Sequence, residues 1–111
     1  MRAEEIVAAL VDAGLRATTD PSALNPPGVL IPAPTRVYDV GCGYTVQWRL
    51  YCIGVGPTGG DHTTWAELDD MADTVASLFP IARVDPEPYA RPGLTQYTSS
   101  PTYLVTFEET L

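Results

Sequence analysis

Cys42, Cys52, Asp61 and His62 are the residues whose types could make and break bonds. A thiol beside an imidazole that a carboxylate orients is the constellation of nucleophilic catalysis. The spacing argues against it. Asp61 and His62 are adjacent at the end of a Gly-rich stretch, and neighbours in such a loop rarely orient one another. A loop histidine just ahead of a helix is the simpler account. Cys52 has the strand parity of Trp48, which points it into a core. The two cysteines stand ten residues apart on one extended segment. At about 3.3 Å per residue their Cα atoms would lie roughly 30 Å apart, beyond the ~7 Å a disulfide spans, so both read as free thiols.

Asp69, Asp70 and Asp73 could suggest a metal, since Asp69 and Asp73 share a helix face. No His or Glu with ligand spacing accompanies them, and no Ca²⁺-loop signature is present, so they read as a solvated acidic face. The serines fit no G-x-S-x-G elbow. All six basic residues are Arg. Without lysine, the Gly-rich stretch from Gly54 to Gly60 cannot complete a phosphate-binding P-loop, and Schiff-base catalysis is excluded. A single His excludes a His-rich metal site. Residue chemistry therefore implies a domain with no catalytic residue, metal or cofactor.

The elements that would position these groups follow from length and patterning. The 111 residues suit a single domain spanning 1–111, large enough to bury a core without disulfide or metal. The 45% hydrophobic content is too high for a disordered chain. A net charge of −8 with scattered arginines argues against a non-specific nucleic-acid binder. Glu4 and Glu5 stand where a signal peptide would begin its apolar core, and no run approaches the ~20 apolar residues of a membrane span, so the expectation is a cytosolic origin and no membrane partner.

Ala3, Ile6, Val7, Leu10 and Val11 recur at helical spacing from Arg2 to Ala13, and Gly14 supplies a left-handed stop that lets Leu15 fold back. Leu15 to Thr19 predicts a short strand, Ser22 to Gly28 a loop, and Val29 to Ile31 a strand broken by Pro32 and Pro34. A hairpin follows, Arg36 to Val40 and Tyr44 to Val55 around Gly41-Cys42-Gly43. On its long arm Tyr44, Val46, Trp48, Leu50 and Cys52 share one face. The other face begins wet (Thr45, Gln47, Arg49) and turns apolar at Tyr51, Ile53 and Val55, so its later half needs a cover, from the chain itself or from another subunit.

Thr64-Trp65-Ala66-Glu67 fits a capping box that opens a second helix, with Trp65, Leu68, Ala72, Val75 and Phe79 on its stripe and Pro80 as its stop. Ile81 to Asp85 predicts an edge strand, Tyr89 to Pro101 a loop, and Thr102 to Glu108 a strand. The sum is an α+β fold: a mostly antiparallel sheet with two α-helices packed on one face.

Taken together, the opening helix Arg2 to Leu10, the stretches Arg16 to Pro21 and Asn25 to Ile31, the strand through Trp48-Arg49-Leu50-Tyr51 and the helix from Leu68-Asp69-Asp70-Met71 to Phe79 resemble, over nearly the full length, the tail terminator proteins of long-tailed bacteriophages of actinobacteria. The resemblance implies a non-enzymatic structural role. Such proteins form hexameric rings that cap the tail tube, end its polymerisation and offer a docking surface to the head–tail connector. The implied partners are copies of the chain itself, the major tail tube protein, the connector and the tape measure protein, with DNA passing through the lumen unbound. An acidic lumen would repel phosphate. The implied location is the head-proximal end of the virion tail, after assembly in the host cytoplasm. Candidate contact residues are Tyr51, Ile53 and Val55 on the long strand, Thr58 and His62 in the first long loop, and Tyr89, Arg91 and Tyr97 in the second. The alternatives are a head–tail connector or head-closure protein of the neck, and a small enzyme or ligand-binding domain built on Cys42, Cys52 and His62.

Overall fold

The computed structural model describes residues 2–24, 27–39, 41, 43–55, 62–87 and 101–110. Helix α1 spans Ala3–Asp12, and Ile6 and Leu10 are its fully buried residues. Gly14 adopts φ +91°, and the amides of Gly14 and Leu15 donate to the carbonyls of Val11 and Leu10, the paired bonds that close a helix on a left-handed residue. The expected fold-back of Leu15 is therefore present.

Strand β1 (Ala17–Thr18) is shorter than its predicted span. The stretch expected to be loop begins with a 3-10 turn, Pro21–Ala23, whose entry Asp20 holds by accepting from the amide and hydroxyl of Ser22. Strands β2 (Gly28–Leu30), β3 (Thr35–Asp39), β4 (Gly43–Ile53), β5 (Ile81–Pro86) and β6 (Thr102–Thr110) complete a six-stranded sheet ordered β1-β2-β4-β6-β5. Only β1–β2 is parallel. β2 and β3 run along the same edge of β4, interrupted at Pro32 and Pro34, so together they behave as one broken strand. β5 lies at the opposite edge, as Pro86 requires, with an irregular register between Ile81 and Arg83.

Helix α2 spans His62–Leu78. It begins two residues before Thr64, so the expected capping box is not the helix start and Thr64 lies inside the first turn. The first turns of α2 pack tightly on the end of β4, where a Cβ on Gly54 would stand 3.1 Å from the Thr64 methyl and 3.4 Å from Leu68 Cγ. Both helices pack on one face. Ile6 and Leu10 from α1 join Leu68, Met71, Val75 and Phe79 from α2 over Val46, Trp48, Leu50, Cys52, Val105 and Phe107. Phe107 stacks on Phe79 with ring centroids 5.1 Å apart.

Across the sheet lies a second, smaller cluster of Leu24, Leu30 and Ile53, with Tyr51 packed against it. The later half of β4 is thus apolar on both faces, and its second cover comes from the chain's own 3-10 segment. Towards the hairpin the same face is open and polar. Gln47 Nε2 donates to Glu108 there at 3.1 Å, and Arg83 pairs with Asp85 at 2.7 Å.

Candidate functional site

Strand parity delivers Cys52 to the core, where burial pushes its thiol up to about 12, far from a neutral-pH nucleophile. Cys42 and Asp61 lie outside the described residues, and His62 opens α2. Asp69, Asp70 and Asp73 are all exposed, and among the described residues no group of three His, Cys, Asp or Glu side chains is placed to hold a metal. Among the same residues no helix is long and apolar enough to cross a membrane.

The candidate contact residues separate. Ile53 is 1% exposed beneath Leu24 and Leu30, which corrects its assignment to an interface: the 3-10 segment folds over the end of β4 and shields it. Tyr51 is half-buried at the rim of that cluster, and Val55, just beyond the strand, is 54% exposed. Thr58, Tyr89, Arg91 and Tyr97 lie outside the described residues.

Two surfaces stand out instead, on opposite edges of the sheet. The first is the hairpin. Tyr38 is 67% exposed and leans on Tyr44 across the strands at 5.2 Å, while Arg36 sits over the Tyr44 ring at 5.8 Å. The nearby hydroxyls of Tyr38 and Tyr44 favour the charged guanidinium and hold Arg36 above its ordinary value. Among the described residues no strand pairs with the outer edge of β3. Arginine and tyrosine, with tryptophan, are the side chains enriched where protein surfaces bind tightly.

The second is a groove of about 780 Å³ between α2 and the β5 edge, walled by Trp65, Asp69, Asp73, Val84, Pro86 and Tyr103. Trp65 and Tyr103 meet at 5.3 Å. The Tyr103 hydroxyl donates to Asp69; desolvation first, then that carboxylate, push the phenol above its ordinary value. Val84 is 40% exposed on an outer edge that no described strand pairs with. One wall is aromatic and apolar and the other is acidic. The sequence reading placed Tyr38 only within the hairpin arm Arg36 to Val40 and assigned Asp69, Asp70 and Asp73 to a solvated face. The groove was invisible to it, because the pairing of β5 with β6 that creates it is non-local.

No family model, no curated protein and no solved structure matches this chain.

Proposed function

We propose that this protein is a self-assembling structural component that works as a ring, in the manner of a phage tail terminator, closing the head-proximal end of a tail tube and presenting a docking surface to the connector. The observation that carries this reading is a pair of sheet edges, on β3 and β5, with which no described strand pairs. β3 and β5 lie on opposite sides of the sheet and each bears an exposed large apolar residue, Tyr38 and Val84. Open edges are a liability that monomeric sheets usually blunt. Two different open edges on one chain form a heterologous pair, and a heterologous contact whose rotation closes makes a ring.

The α+β framework, with two helices on one face of the sheet, agrees with the fold the resemblance implies. A net charge of −8 suits a ring through which DNA passes without sticking. Tail tube, connector and tape measure proteins are the partners this role requires. The test is incubation of the purified chain with isolated tail tubes, imaged by electron microscopy, against portal-filled heads as the competing target. Tubes capped at one end support the role. Binding to heads alone assigns the chain to the neck instead.

A further inference from the structure

We infer that copies of this chain join by adding the hairpin strand β3 of one copy to the β5 edge of the next, with Arg36 and Tyr38 seated in the groove between α2 and β5. This junction rests on the ring proposed above and specifies its contact.

Main-chain direction is the first argument. The Gly54 amide donates to the Pro101 carbonyl, so alternate residues of β4 from Gly54 back to Val46 address β6, and the intervening ones, Gln47, Thr45 and Gly43, address β3. Their partners Thr35, Val37 and Asp39 are thereby used, which leaves the amides and carbonyls of Arg36 and Tyr38 pointing off the edge. On the other side the Glu87 amide donates to the Thr102 carbonyl. By the same alternation Asp85 and Arg83 address β6, and Val84 and Pro86 face outward. Pro86 has no N–H, so at its outward-facing position the edge offers a carbonyl acceptor alone, and Val84 offers both donor and acceptor.

Side-chain parity is the second. Tyr38 lies opposite Tyr44 and Arg36 opposite Val46, on the helix face; Val84 lies opposite Val105 and Pro86 opposite Tyr103, on that same face. The residues that face outward on each edge thus carry their side chains to the same side of the sheet. Strand direction is the third. β3 is antiparallel to β4, β4 to β6 and β6 to β5, so β3 and β5 run oppositely. A neighbour related by simple rotation therefore meets the edge antiparallel, with its helices on the same side.

These conditions allow registers two residues apart, and the one that uses both outward residues of each edge pairs Tyr38 with Val84, Arg36 with Pro86 and Val37 with Asp85. Asp39 then takes the position opposite Arg83. The Arg36 guanidinium enters beside Tyr103 and Trp65 at the exposed carboxylate of Asp69, and the Tyr38 ring arrives beside Val84 and the exposed Asp73. A second copy is the occupant because one chain supplies both halves, cationic and aromatic on one edge, acidic and aromatic on the other. The irregular register at Ala82 and the proline at 86 bracket the usable edge, which restricts slippage.

Val37 and Asp85 would form a non-hydrogen-bonded pair with Cα atoms about 4.5 Å apart, a distance a disulfide spans. Within one chain β3 and β5 are separated by β4 and β6, about 14 Å, so no internal bridge forms. The test is the full chain carrying V37C and D85C in a Cys42→Ser background, oxidised mildly and run under denaturing, non-reducing conditions, with folding verified by circular dichroism. A ladder of covalent oligomers is expected, absent from each single-cysteine chain. R36E introduced on its own, without V37C or D85C, should raise the concentration needed for assembly about tenfold or more. Rings without crosslinks, or rings indifferent to R36E, overturn the junction and leave the ring standing. No rings and no crosslinks overturn both.

Discussion

Leu24 and Ile53 are buried together, at 2% and 1% exposure, on the face of the sheet opposite the helices. Leu24 ends the 3-10 turn that Asp20 organises, and Ile53 ends the longest strand, so a short proline-led segment seals what would otherwise be a bare apolar patch. Leu24→Ala should cost about 2–4 kcal/mol, the cost of a cavity that its neighbours cannot fill. Urea unfolding monitored by tryptophan fluorescence measures it. A loss below about 0.5 kcal/mol would mean the cover contributes nothing to stability.

Gly14 closes α1 in the left-handed region, and a Cβ there would meet no atom within 4 Å. Gly14→Ala therefore changes backbone strain alone and should destabilise by about 1–2 kcal/mol. An unchanged thermal midpoint would show that the helix ends another way.

The Cys52 thiol is held up to about 12 by burial against an ordinary value of 9.0. Its folded value is raised, so the stability it contributes is fully present below about pH 9 and is lost as pH climbs towards 12. In the Cys42→Ser chain, Cys52 should stay unlabelled by thiol reagents at pH 8 and react only in denaturant. Cys52→Ala should flatten the alkaline fall in stability. Labelling of the folded chain at pH 8 would contradict the burial.

Trp48 is buried with an indole N–H that finds no acceptor among the described residues. A buried unmet donor costs about 1–3 kcal/mol, which offsets part of the ring's apolar burial. Trp48→Phe should consequently cost less than about 1.5 kcal/mol, in chemical denaturation, where the loss of ring volume alone would predict more. A larger loss would reveal an acceptor.

Local order was legible in the sequence because local physics sets it. Gly14 and the Gly41/Gly43 pair all take positive φ, and they fixed the helix stop and the hairpin turn. Period-two alternation placed Trp48, Leu50 and Cys52 in the core and predicted the doubly apolar end of β4. What escaped was non-local. The identity of the cover over Ile53 lay in a Pro-rich stretch with no periodicity to betray Leu24. α2 begins at His62, ahead of the Thr64 capping pattern, and its packing of Thr64 and Leu68 on Gly54 is a contact no capping pattern encodes. The groove beside β5 required a strand pairing that reaches from Val84 to Val105.

The central claim is that this chain completes its β3 and β5 edges with copies of itself. Mass photometry of the purified protein across a dilution series, paired with electron micrographs of the same samples, tests it directly. The account predicts closed rings of one subunit count that dissociate to monomers on dilution, without a continuum of filaments. A species that remains monomeric at high concentration, both alone and beside intact tail tubes, would contradict it.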